Sequence, residues 1–418
     1  MTYDVVVIGV GLAGLTAALR LAEQRLRVLV VAKGVGGTHL APATIDVLGY
    51  VGGGLVESPA RALPELVARH PAHPYRHLPV DVIRSSLEWF GERVGRLGYR
   101  GGLDENFLLP TAVGVAKPTA LVPQTMAAGD LRAGGRFVFV GLRGLKDFYP
   151  AYLADNLVRT GLPRVSARAV GLALPLGGEG DISGVGFARR FEQPEFRQAV
   201  VRELAPRLAP GEIVGFPAVL GLRRAQEVWR ELEAGLRRSV FEVPTLPPSV
   251  GGMRVFESLT AALRREGARI LLGSAVSGAE SDGRMLEGVV AETANGCRTY
   301  RARWFVLASG GFSSGGLQMD SRGRVRETVL GLPLVGVPAP GEPRFRPGYF
   351  DEHPIVRAGL DVDEQFHPLA ADGAPAFENL HAAGATLAGA APWREASGNG
   401  LSLATGYAAA SAILEQPS

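Results

Sequence analysis

The 418-residue chain has a single cysteine, Cys297. A lone thiol excludes an internal disulfide, a zinc ribbon and any iron–sulfur cluster held by this chain's own cysteines, and it fits a reducing compartment. Charge of one sign is also scarce. The formal net charge is +3, the arginines are spread along the chain, and no basic run with interleaved aromatics occurs. That leaves no electrostatic footprint for nucleic acid. The longest apolar stretches fall far short of a membrane span and carry glycine or charge, so membrane contact is expected only indirectly. The first residues lack the charged, apolar and cleavage segments of a secretory leader, and strand-like residues begin at Tyr3. A soluble protein on the cytosolic side is therefore expected. Fixed-period repeats and low-complexity tracts are missing as well. His70, His73 and His77 crowd into "RHPAHPYRH", but the intervening prolines make this an extended loop, and no metal site is expected. No Ser-His-Asp arrangement emerges, and no catalytic residue is assigned.

Glycine is abundant, with 56 residues concentrated in turns and loops. The stretch "VVVIGVGLAGLTAALRLAEQRLRVLVVAKG" (5–34) reads as strand, Gly-x-Gly-x-x-Gly turn, helix and second strand. Gly9 permits the tight turn, Gly11 lets a phosphate approach the backbone, and Gly14 lets helix and strand meet closely. The helix start at Leu12 and Ala13 offers amides and a positive dipole end to an anion. An acid holding an adenosine ribose is expected at residue 32, and the chain has Ala32-Lys33-Gly34 there. Neither side chain can accept a ribose hydrogen bond. A site that keeps phosphate and ring contacts but loses this adenosine contact suits FMN, with FAD as the alternative, in either case non-covalent. His39 lies in the following loop, at a position where covalent flavin attachment occurs in some proteins of this shape. Its spacing to Ile45-Asp46 argues instead for a non-covalent contact or a surface histidine.

The remainder suggests an α/β protein with a Rossmann-like flavin-binding domain that is discontinuous, residues 1–51 and 246–418, and an inserted second α/β lobe, residues 52–245. In the lobe, "VDVIRSSLEWFGERVGRLGY", "GRFVFVGLRGLKDFYPAYLADNLVRTG" and "AQEVWRELEAGLRRSVF" alternate helix and strand patterns. After residue 250 a buried strand ends at Ala308-Ser309-Gly310, a turn that would bring the chain back beside the cofactor. The closing segment "NLHAAGATLAG…SGNGLSLATGYAAASAIL" places Gly384 in a Gly-rich loop and Ser397, Gly398, Asn399, Gly400 and Leu401 at a helix start. That helix end is expected to face the flavin ring and to stabilise negative charge there. Arg254 and Arg394 are the cations nearest these loops, expected to contact the flavin phosphate or ring carbonyls. Arg143, Lys146 and Asp147 are scattered polar groups in the lobe.

The phrases "PAHPY" (71–75), "VGLRGLKDF" (140–148), "PTLPPSV" (244–250) and "VLASGGFSSGGL" (306–317) are not general flavoprotein signals. With them the chain resembles, over nearly its whole length, the B subunit of anaerobic glycerol-3-phosphate dehydrogenases. The resemblance implies a respiratory enzyme at the cytoplasmic face of the membrane that oxidises sn-glycerol 3-phosphate to dihydroxyacetone phosphate and reduces quinone. The implied partners are a catalytic flavoprotein, the A subunit, and an iron–sulfur subunit that anchors the assembly. This chain would carry a second flavin, assigned as FMN in the family. Two departures stand out: Gly9-Val10-Gly11 in place of three successive glycines, and Ser397-Gly398-Asn399-Gly400 where glycine–cysteine clusters are common. The second puts any thiol role in doubt. The alternatives are a stand-alone FAD dehydrogenase or oxidase and a scaffold that binds no flavin.

Overall fold

The computed structural model describes residues 3–174 and 180–416. Its larger sheet forms around β1 (Tyr3–Ile8), whose Val5, Val6 and Val7 are wholly buried. An unbroken apolar strand of this kind belongs at the centre of a parallel sheet covered on both faces. β1 pairs in parallel with β2 (Val28–Ala32) on one side and with residues 302–307 on the other. Beyond β2 lies Arg269–Leu272, and beyond the long strand Gly296–Leu307 lie Leu380–Ala382 and an antiparallel pair, Met285–Thr293 and Ala275–Asp282.

The helix α1 (Leu12–Ala22) buries ten of its eleven residues. A helix apolar all round must be sandwiched. α1 lies between the sheet and the closing helix Gly398–Glu415, and the two helices touch through small residues. A Cβ on Gly406 would lie 2.4 Å from the Ala13 carbonyl oxygen, and one on Gly384, in the turn after the strand Leu380–Ala382, would lie 2.9 Å from the Ala13 Cβ. Such close approach leaves room for nothing larger than glycine.

A second sheet is wholly parallel, in the order Val165–Leu172, Gly135–Leu142, Glu212–Pro217, Val240–Val243. Its strands alternate as a two-faced sheet should. Val138, Val140 and Leu142 join one apolar cluster with Phe187, Phe191 and Leu232, while Phe137 and Phe139 join another with Leu153 and Leu157. The α/β class and the return of the chain to the first sheet match the sequence pattern. The packing, however, does not change at residue 52. Leu63 and Leu66 from the helix Pro59–Arg69, and Ile83, Leu87 and Phe90 from the helix Val80–Arg93, share one core with β1 and α1. The separate clusters of the second sheet begin only near Leu131. Amphipathic helices announce that they have a buried face, not which core will bury it.

Candidate functional site

The carboxyl ends of β1, β2, Arg269–Leu272 and Gly296–Leu307 open onto one cleft of about 680 Å³. This is the edge where open parallel sheets bind ligands. Its floor is the glycine turn. Gly9 has φ +111°, and a Cβ there would lie 2.1 Å from the Ala308 carbonyl oxygen. A Cβ on Gly14 would lie 2.1 Å from the Gly9 oxygen, so turn, helix and returning strand interlock through bare backbone. Gly11 differs, since a Cβ there meets nothing within 4 Å and would project into open space. Gly11 caps α1 without any side-chain hydrogen bond. Amides at a helix start with open space before them form an anion site. The Ser309 hydroxyl, also on the cleft wall, is buried and has no partner. Buried hydroxyls ordinarily find one, so this atom is poised for a ligand.

Gly9, Gly11, Ala32, Lys33, Gly34, Ala308, Ser309 and Gly310 line the cleft together. The wall continues past Ala32 to Ser274, Ala275 and Val276, where the Ser274 amide donates to the Ala32 carbonyl at 3.1 Å. Gly315, Gly316, Arg326 and Thr328 close the far side. The sequence motifs did not point to these residues. The one available signal was the "ILLGSAV" strand end, since every parallel strand of such a sheet delivers its carboxyl end to the same edge.

The profile of the family described as FAD binding domain matches residues 4–401. The protein named as the probable B subunit of anaerobic glycerol-3-phosphate dehydrogenase in Halobacterium salinarum is 35% identical, covering 99% of this chain and 98% of its own length. The B subunit of the anaerobic glycerol-3-phosphate dehydrogenase of Pectobacterium carotovorum is 33% identical, covering 100% and 99%. Among solved structures, the 3-ketosteroid-Δ4-(5α)-dehydrogenase of Rhodococcus jostii covers 100% of the chain and 97% of its own at 13% identity and a TM-score of 0.42. This chain belongs to the family of anaerobic glycerol-3-phosphate dehydrogenase B subunits. It is a flavoprotein-type oxidoreductase component with an FAD-binding domain.

The expectation of FMN is not supported. The family is one of FAD-binding domains, and the cleft does not stop at position 32 but runs on along Ser274–Val276. Among the described residues no helix is long and apolar enough to cross a membrane.

Several expected site residues serve elsewhere. Arg254 does not line the cleft. Its guanidinium grips Glu242 at 2.6 and 2.9 Å and donates to the Gly221 carbonyl at 2.8 Å, with both side chains buried. A cation so fully spent in a buried pair is not available to a cofactor phosphate. Arg394 donates to the Phe350 carbonyl. The His39 ring packs edge-on against Phe256 at 4.7 Å, and burial lowers its basicity. Leu12 and Ala13 are buried in the packing of α1. Lys146 pairs with Asp181 on the surface.

Gly384, Ser397, Gly398, Asn399, Gly400 and Leu401 lie outside the cleft wall, and the last loop acts at one remove. The Gly400 amide donates to the Asp46 carbonyl at 2.9 Å, and the Asn399 side-chain amide donates to the Thr44 carbonyl at 2.8 Å. A Cβ on Gly400 would lie 2.6 Å from the Asp46 carbonyl oxygen. The start of the closing helix therefore clamps the segment Thr44–Val47. The "PAHPY" phrase braces the same segment, because the Tyr75 hydroxyl donates to the Val47 carbonyl at 3.1 Å. His73, which has no exposed surface, accepts from the Tyr75 amide at Nδ1, so Nε2 carries the proton toward Glu395 at 3.3 Å. Glu395 also accepts from Arg357 at 2.9 Å and Ser397 at 3.1 Å. Burial alone would raise the Glu395 carboxyl, but the His73 hydrogen bond, the Ala391 amide and Arg357 outweigh it and hold the pKa at about 2.

Proposed function

We propose that the chain binds FAD non-covalently and is the electron-relaying flavoprotein subunit of a respiratory glycerol-3-phosphate dehydrogenase. The observation that carries the cofactor reading is the cleft itself. It joins an uncapped helix start, an unpartnered buried hydroxyl at Ser309 and an open adenosine-side wall at Ser274–Val276. Bound there, the flavin supplies reversible two-electron chemistry. The amides of α1 would hold its phosphates, and Ala32 to Gly34 with Ser274 would take its adenosine end. The names of the relatives support a multi-subunit assembly. Its other members would be a catalytic flavoprotein and an iron–sulfur protein that anchors the whole at the cytoplasmic face of the membrane. In the overall reaction sn-glycerol 3-phosphate loses two electrons and two protons to become dihydroxyacetone phosphate, and a quinone gains both to become a quinol.

Two measurements test this. The flavin released on denaturation, identified by mass, should be FAD in a one-to-one ratio, and FMN or a flavin left attached to the chain would overturn the cofactor reading. Glycerol 3-phosphate should bleach the flavin of the lone chain far more slowly than it bleaches the assembly. Equal rates would make this chain the dehydrogenase.

A further inference from the structure

Leu40, Val113 and Leu246 line a cavity of about 230 Å³, and each is also exposed to solvent. Val115 follows Val113 in the turn between the hairpin strands Phe107–Pro110 and Ala116–Thr119. That turn is seated on the helix Pro150–Arg159. The Asn156 side-chain amide donates to the Val113 carbonyl at 3.0 Å, and a Cβ on Gly114 would lie 2.4 Å from the Leu153 carbonyl oxygen. Tyr152 stands four residues before Asn156 and so shares its helix face, and Tyr149 directly precedes the helix. Leu40, Val113, Val115, Tyr149, Tyr152 and Leu246 are between 46% and 66% exposed. Apolar residues exposed singly need no explanation, but six gathered from four segments of the chain mark an interaction surface.

The cavity selects the occupant. Its lining is apolar apart from Lys117 and four threonines, Thr44, Thr111, Thr119 and Thr245. Lys117 is paired with Asp46, the Thr44 hydroxyl donates to the same carboxylate at 3.1 Å, and the Thr111 hydroxyl oxygen accepts from the Val115 amide at 3.1 Å. With its one cation neutralised, the lining offers nothing to a nucleic acid or to an anionic lipid surface. Its volume lies below the roughly 300–1,000 Å³ of small-molecule sites and suits a single inserted side chain, the usual anchor of a protein interface. The cavity shares Leu40 with the flavin cleft, so a protein seated here stands beside the cofactor. We propose that this face docks the subunit with which the flavin exchanges electrons. The partner's surface is apolar and near-neutral, and one of its aliphatic or aromatic side chains enters the cavity. The inference rests on the multi-subunit reading above and goes beyond it by assigning the docking surface.

The test is dissociation on dilution, read by native mass spectrometry, of the assembly formed when this chain is co-expressed with the catalytic flavoprotein and iron–sulfur subunits. Val113→Glu and Leu246→Glu each place a charge at an already exposed position, so the unfolding midpoint and flavin content of the lone chain should not move. Each should raise the concentration at which the assembly half dissociates by at least about tenfold. Ala112→Trp, which fills the cavity, should do the same. Phe350→Ser removes a ring that is 79% exposed but outside this cavity, and it should change nothing. Turnover of glycerol 3-phosphate with menadione should fall in parallel with assembly. An assembly indifferent to all three cavity variants, one loosened equally by Phe350→Ser, or dissociation without loss of turnover would each overturn the proposal. So would a dimer of the lone chain, or its binding to phosphatidylcholine vesicles, that Leu246→Glu abolishes, because either would give the face to another occupant. The two readings fail differently. No assembly with the wild type refutes the multi-subunit reading and this proposal with it, whereas an assembly that survives the variants refutes the docking face alone.

Discussion

Arg254→Met distinguishes a cofactor contact from a structural ion pair. Arg254 and Glu242 are both buried, with side chains 4% and 0% exposed. Methionine fills much of the arginine's volume but leaves the Glu242 carboxylate with only two neutral donors, the Thr125 hydroxyl at 2.7 Å and the Leu220 amide at 2.9 Å. Breaking one side of a buried pair costs about 3–5 kcal/mol, because the remaining charge stays out of water uncompensated. With two donors left, the lower end, about 3 kcal/mol, is expected. The assay is urea unfolding followed through Trp229, whose indole N–H donates to the Val240 carbonyl at 2.7 Å inside the same lobe. Adding Glu242→Gln should recover more than half of the loss, since the stranded charge is gone. Below the unfolding transition the single variant should keep its full flavin content. Flavin loss at unchanged stability would refute the reasoning and restore Arg254 to the cofactor site. A double variant no better than the single one would refute the electrostatic account.

Two glycines of one turn should behave oppositely. Gly14→Ala forces a Cβ to within 2.1 Å of the Gly9 oxygen and should prevent folding to a soluble, flavin-bearing protein, read by solubility and absorbance. Gly11→Ala meets no protein atom and has φ −67°, so stability should change by less than about 1 kcal/mol while flavin dissociates more readily in dialysis. Normal flavin retention in Gly11→Ala would show that the phosphates do not approach there. His381 sets an acid limit. Burial lowers its pKa from 6.5 to about 4, so the folded form excludes a proton that the unfolded chain binds. Stability is then fully present above pH 6.5 and falls as pH drops toward 4, by about 2 kcal/mol at pH 5. A flat urea midpoint between pH 7 and pH 5 in the wild type, or an unchanged slope in His381→Asn, would remove that assignment. His39→Ala should release the same free flavin on denaturation as the wild type, and a covalent adduct in the wild type would refute it.

The parts of this molecule legible in its sequence are those where backbone geometry demands one residue type. Gly9 and Gly14 were readable because nothing else fits between turn, helix and strand, and the buried strand before Ala308 was readable because it is uninterruptedly apolar. Arg254 misled because the sequence shows the cation but not its partner, Glu242, which lies 12 residues upstream on a different element. The choice of FMN put too much weight on one missing side chain. The cleft wall at Ser274–Val276 carries no such signature, being strand end and backbone. The clamp on Thr44–Val47 was likewise hidden, because it joins residues 46, 75 and 400 through main-chain carbonyls, and those are the same in every residue.

The position of β1 has a consequence for how the protein is made. β1 is made long before its partners: one of its edges pairs with residues 302–307, and the helix behind it packs against residues 398–415. Until some three hundred further residues have been synthesised, an almost wholly apolar strand and helix have no lasting cover. Contacts so distant in sequence form slowly and leave strand edges open to other chains. The unfinished chain is therefore expected to expose apolar strand and helix surface to other chains. A chain stopped at residue 397 should accumulate as aggregate, because completion of the nucleotide-binding unit awaits the last helix.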